Sequence, residues 1–129
     1  MFGAKLSSRI LSIDPGLAHI GWAVMEKDNI VNSGVITTKA SHPLTLRIKE
    51  IFGKFMRIIH IHLGAKDTIV VEDFHGSPGM RNRTAVNSIC KVHGALQALP
   101  RRVVLMSPVM VQGRQAKRNR LRKKRNALS

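Results

Sequence analysis

Two carboxylates in this sequence have positions that could do chemistry. Asp14 closes the run Ile10-Leu11-Ser12-Ile13 and is followed by Pro15-Gly16, and Glu72 closes the run Ile69-Val70-Val71. Each acid therefore ends a stretch with the composition of a buried strand, where a side chain is held rigidly at the rim of an open α/β sheet. Two carboxylates brought together with no cation between them repel or take up a proton. Hard divalent ions such as Mg²⁺ and Mn²⁺, which prefer oxygen ligands, remove that conflict. The chemistry such a site offers is activation of water and stabilisation of a leaving oxygen. Asp14 and Glu72 are accordingly read as catalytic residues and metal ligands. The plainer readings stay open: Asp-Pro-Gly is a common turn string, and Glu72 could be a solvated strand-end acid paired with Arg81 or Arg83. Asp73 points to the opposite face if the strand continues, and it suits loop capping better than ligation.

Other chemistries find less support. The six histidines (His19, His42, His60, His62, His75 and His93) show no HExxH or paired ligand spacing. His60 and His62 are two apart and do not share a helix face, and His75 is the one near the proposed site. Cys90 is the only cysteine, so no internal disulfide can form and a cysteine-rich zinc site is excluded. P-loop, GxGxxG and G-x-S-x-G strings are absent.

The elements that must position the two acids follow from periodicity. Arg9–Asp14, residues 21–26 and residues 30–38 read as three strands joined so briefly that they form an antiparallel meander. Gly34 within the third suggests a bulge or a close approach. From Leu44 the period changes to that of an amphipathic helix of about four turns ending near Gly64, with Arg47, Lys49, Glu50, Lys54 and Arg57 largely between its apolar positions. Residues 67–72 form a buried strand, 73–83 a basic Gly/Pro loop, 84–99 a second helix and 102–106 a fifth strand. On the second helix Val86, Ile89, Cys90, His93 and Leu96 are read as one stripe, with Gly94 admitting a close packing partner. The order β-β-β-α-β-α-β implies a five-stranded mixed sheet, a meander followed by two right-handed crossover units, with helices on its faces. That order resembles the ribonuclease H-like architecture. It makes the first and fourth strands parallel neighbours, which brings Asp14 beside Glu72.

Charge names the partner class. The chain of 129 residues, the size of one domain, carries 22 Lys/Arg against 7 acids, a formal +15. Such a balance points to a polyanion, and nucleic acid is the usual one. Residues 1–110 hold all 7 acids and 14 of the basic residues, while residues 111–129 hold 8 basic residues and no acid. The expectation is a folded domain over 1–110 and a disordered basic tail over 111–129. Arg114, Lys117, Arg118 and Arg120 of the tail are candidate phosphate contacts. No apolar stretch reaches the ~18–20 residues of a membrane span, and the N-terminus lacks a secretory h-region. A soluble, cytoplasmic protein is expected.

The segment ILSIDPGLAHIGWAVME resembles the opening of the RuvC family of Holliday-junction resolvases, in which a strand ends in Asp-Pro-Gly and a Gly opens the second strand. TIVVEDF, the Gly/Arg loop and the helix TAVNSICKVHGALQAL resemble that family's second acidic strand and the helix after it, and VVLMSP its fifth strand. The resemblance covers roughly residues 8–110. It implies a homodimer, with the helix over 84–99 as the natural interface, that resolves four-way DNA junctions in a bacterium or phage-infected cell. It further implies two Mg²⁺ or Mn²⁺ ions about 4 Å apart, held in part by Asp14 and Glu72. Phe74 lies near the family's DNA-stacking aromatic, though out of register, and Arg81 and Arg83 are further candidates for touching DNA.

The sequence also departs from the family. Members continue past the fifth strand into a helix that supplies further carboxylates, whereas no Asp or Glu follows Asp73 here. Three expectations stand: a truncated or out-of-frame end, a DNA-junction-binding relative that no longer cleaves, or an active enzyme that recruits Asp73 or a His. A YqgF-like ribonuclease is a weaker alternative.

Overall fold

In the computed structural model, residues 8–73 and 83–107 are described. The elements are β1 (Arg9–Asp14), β2 (His19–Glu26), β3 (Asn29–Thr37), α1 (Leu44–His62), β4 (Thr68–Glu72), α2 (Arg83–Leu96) and β5 (Arg102–Met106). They build one five-stranded sheet in the order β3-β2-β1-β4-β5. The meander is antiparallel, and β1–β4 and β4–β5 are parallel. This is the mixed sheet expected from the element order.

Alternation within the strands decides what each face does. Leu11 and Ile13 of β1, Ile20 and Val24 of β2, and Ile69 and Val71 of β4 are buried in one core with Ile51, Phe55 and Ile59 of α1 and Val92 and Leu96 of α2. Both described helices therefore lie on the same face of the sheet. The opposite face carries Ser12, Asp14, Gly21, Ala23, Val70, Glu72 and Met106, which line an open pocket.

Several local expectations need correction. Among the described side chains of α2 the buried ones are Val92, His93 and Leu96, while Cys90 is exposed. The buried stripe runs through Val92, keeps His93 and Leu96 of the expected set with Val86 and Ile89 half-buried, and turns Cys90 outward. A Cβ at Gly94 would meet nothing within 4 Å, so no close packing partner explains that glycine. Arg47, expected among the solvated residues of α1, is only 9% exposed. It is tolerated there because its Nε donates to Thr38 Oγ1 at 2.9 Å. Gly34 is a close approach: a Cβ there would stand 3.0 Å from the Trp22 ring. The bulge lies elsewhere, where Val24 pairs with Asn32 but Met25 with Ile30.

The turn after Asp14 is fixed from two sides. Thr38 donates its backbone N–H to Ala18 O at 3.0 Å and its hydroxyl to Leu17 O. Gly16 is required sterically, since a Cβ would sit 2.4 Å from the His19 carbonyl oxygen. The N-terminal end of β1 is pinned as well. Asp67 accepts from Arg9 N at 3.0 Å and from Gly64 N at 2.7 Å, which marks it as a structural acid.

Candidate active site

Four neighbouring strands each deliver one residue to the same rim. Asp14 pairs with Gly21 across β1–β2, Ile13 pairs with Val71 across β1–β4, and Glu72 pairs with Met106 across β4–β5. Asp14 and Glu72 are each one step beyond the Ile13–Val71 pair, so they lie side by side on adjacent parallel strands, roughly 5 Å apart at the backbone. Both face away from the helices. The pocket they share has a volume of about 450 Å³, with Ala23, Val70 and Met106 as its apolar floor and Ile13 and Trp22 also contributing to its lining.

The rim is uncrowded beside the first acid: a Cβ at Gly21 would make only ordinary contact with Asp14 Cβ, at 3.9 Å. Asp14 is exposed. Glu72 is partly shielded, and burial, then a hydrogen bond with Asp14, then the Asp14 charge hold its carboxyl above the ordinary range. The pair thus takes up positive charge more readily than two isolated acids. A divalent cation supplies that charge, and the carboxylate oxygens suit Mg²⁺ or Mn²⁺. Two protein ligands are few, and no group of three metal-ligating side chains occurs among the described residues. A hard ion that keeps its waters and also binds a substrate phosphate is still compatible with two carboxylates.

Asp73 turns to the other face, as strand alternation requires. Its Oδ1 lies 3.5 Å from His93 Nε2 on α2, so the site does not gain it as a ligand. His60 is exposed, and His62 faces Asn32 at 3.2 Å, on the helix side of the sheet. Phe74, His75, Arg81, Arg114, Lys117, Arg118 and Arg120 lie outside the described residues, and of Arg83 only the backbone, at the start of α2, is described. The sequence gives little hint of what His93 does. Its place in an apolar stripe is the available signal, but its partner becomes visible only with the fold.

A mixed β3-β2-β1-β4-β5 sheet with paired acids at the carboxyl ends of β1 and β4 defines a ribonuclease H-like nuclease fold. The family model for crossover junction endodeoxyribonuclease RuvC matches residues 10–109, and the chain belongs to that family. Crossover junction endodeoxyribonuclease RuvC of Methylorubrum populi is 36% identical over 69 residues, covering 50% of this chain and 35% of that protein. The Brevibacillus brevis protein of the same name is 38% identical over 58 residues, covering 42% of this chain and 35% of its own. The match thus spans about a third of the length of these relatives. Among solved structures, Thermus thermophilus RuvC in complex with a Holliday junction substrate aligns with a TM-score of 0.70 at 18% identity, covering 82% of this chain and 68% of that one. The yeast mitochondrial Holliday junction resolvase Ydc2 aligns with a TM-score of 0.54 at 12% identity, over 79% and 51% of the two chains. At these identities the structural likeness supports the fold.

Proposed function

We propose that this chain is the nuclease body of a Mg²⁺- or Mn²⁺-dependent endonuclease that resolves four-way DNA junctions in recombination and repair. The observation that carries the reading is the juxtaposition of Asp14 and Glu72 at the carboxyl ends of two parallel neighbouring strands, above an open pocket. Family membership supports the substrate class, and the formal charge of +15 suits a phosphate backbone. Asp14 and Glu72 would hold the metal, which supplies a nucleophile from bound water and charge stabilisation at the phosphorus. Two ions are expected by resemblance to the family. The protein's own part is to fix both carboxylates on rigid strand ends and to leave the sheet face open to the strand being cut.

Under the same reading, Phe74, Arg81 and Arg83 contact DNA near the site, and Arg114, Lys117, Arg118 and Arg120 contact phosphates from a basic tail that follows a domain over 1–110. The chain would pair with a second copy through the outward side of α2, where Asn87, Cys90, Lys91 and Gly94 are exposed. No helix among the described residues is long and apolar enough to cross a membrane, and the proposed compartment is the cytoplasm.

The test is nicking of a synthetic four-way junction in Mg²⁺ or Mn²⁺, abolished in Asp14→Asn. A clean preparation that binds the junction in both metals without cutting it would reject catalysis. It would favour the second reading, a junction-binding relative, which the want of a third acidic ligand among the described residues supports.

A further inference from the structure

The order β3-β2-β1-β4-β5 puts β3 at an edge, with no strand paired to its outer side among the described residues. An unpaired edge is a template for another strand, and proteins commonly blunt it with charges, prolines or bulges. Asn29–Thr37 reads NIVNSGVIT and holds none of the chain's 22 Lys/Arg, 7 acids or 5 prolines. The other edge strand, β5, is shorter and carries Arg102. A bulge disturbs β3 only near its start, where Val24 pairs with Asn32 but Met25 with Ile30. From Ser33 to Thr37 the pairing with β2 is regular. Ser33, Val35 and Thr37 are exposed, Val35 by 64%.

The ladder decides which backbone groups point outward. Thr38 donates its N–H inward, to Ala18 O at 3.0 Å. Antiparallel pairs alternate, so Ile36 and Gly34 also turn their N–H and C=O toward β2, while Ser33, Val35 and Thr37 turn theirs to the open edge. Asn32 Oδ1 accepts from Ser33 N at 2.9 Å, which occupies that N–H and leaves the Ser33 carbonyl outward. Val35 is the centre of the three. It lies opposite Gly21, and Gly21 lies opposite Asp14, so all three share one row across the sheet.

We infer that a second copy of the chain pairs with β3 edge to edge, antiparallel about a two-fold axis at Val35. Around such an axis a patch meets itself, so every charge in it would face a like charge. An uncharged segment is therefore what a self-contact requires of a chain with a formal charge of +15. Val35 exchanges both backbone hydrogen bonds with its copy, and the two exposed side chains meet on one face. Ser33 faces Thr37 of the second copy and accepts from its N–H. The two five-stranded sheets become one, with both Asp14–Glu72 pairs on the same side. Asp14 and its copy are five interstrand steps apart along a single row, about 24 Å. Under the junction-cutting reading, one assembly then holds two sites for two cuts. The contact itself does not depend on that reading, and it adds a self-contact to the one proposed through α2.

The experiment is oxidative cross-linking of the full chain in a Cys90→Ser background, read on non-reducing gels. Hydrogen-bonded partners on antiparallel strands lie about 5.5 Å apart at Cα, within the reach of a disulfide. Val35→Cys is therefore expected to link to its own copy. Thr37→Cys alone is expected not to link, because its copy lies about 14 Å away along the strands. Mixing separately purified Ser33→Cys and Thr37→Cys chains is expected to give the mixed dimer. Adding Val35→Lys to both sets like charges opposite each other and is expected to abolish that link. All three positions are exposed, so the variants keep the core intact. Failure of Val35→Cys to link would overturn the inference, and so would equal linking of Val35→Cys and Thr37→Cys, the sign of unspecific edge association. Junction nicking by the Cys90→Ser chain is scored in parallel. Links without nicking would count against the junction-cutting reading alone, and nicking without links against this contact alone.

Discussion

Replacing Thr38 by Val tests how the turn after Asp14 is held. The side chain is 6% exposed, its hydroxyl donates to Leu17 O, and the same oxygen accepts from Arg47 Nε at 2.9 Å. Val keeps the shape and removes both bonds. A neutral bond is worth about 1 kcal/mol net, and one to a charged group about 1.5–3 kcal/mol, the larger values applying when a buried donor is left unmet. Arg47 is such a donor, so the expected loss is about 2–4 kcal/mol. Unfolding entropy of about 2.1 cal/mol/K per residue makes 1 kcal/mol worth roughly 4–5 °C in a domain of this size. The melting temperature, followed by far-UV circular dichroism in EDTA, should fall by roughly 8–20 °C. Thr38→Ser keeps the hydroxyl and should lose only the methyl group, about 1 kcal/mol. Adding Arg47→Met to Thr38→Val removes the stranded charge, so the two losses should not sum. A Val variant that melts no lower than the Ser variant would refute the reasoning.

Further outcomes follow from the same geometry. Mn²⁺ at 100 times its dissociation constant should stabilise the protein by about 2.7 kcal/mol, and Asp14→Asn or Glu72→Gln should abolish that thermal shift. The Glu72 carboxyl is held above its ordinary range by burial and by Asp14. Its contribution to the stability of metal-free protein is therefore complete below the unfolded-state pKa and is lost as pH rises through the higher folded-state value. Thermal melts in EDTA should show Glu72→Gln gaining on the parent as pH rises across that window, and a constant difference would contradict this. Gly16→Ala forces a Cβ to within 2.4 Å of a backbone carbonyl and should cost about 1–3 kcal/mol, measurable by urea titration. Deleting residues 112–129 removes 8 basic side chains and should flatten the dependence of log junction affinity on log salt, by about 0.9 for each phosphate the tail neutralises. An unchanged slope would remove the tail from the interface.

Much of this protein is legible as pattern. Strands and helices can be read because burial on one face imposes periods of 2 and about 3.6 on the apolar residues. β1 and β5 lie where those periods place them. Element order is enough to make β1 and β4 parallel neighbours, and so to set Asp14 beside Glu72. What sequence alone could not decide was which side chains meet across the core and around the turns, beyond the neighbour relations that element order imposes on the strands. On α2 the sparse apolar set fits more than one rotation about the helix axis, and packing against α1 and the sheet selected the one that buries Val92 and exposes Cys90. Arg47 is charged and reads as a surface residue until Thr38, nine positions away, is found to satisfy it. The pairing of Asp73 with His93 joins residues twenty apart. It exists because alternation turns one acid to the helices as it turns its neighbour to the pocket. Local pattern determined the elements and their order, and tertiary structure decided which side of α2 is buried, why Arg47 can be, and what each side chain meets.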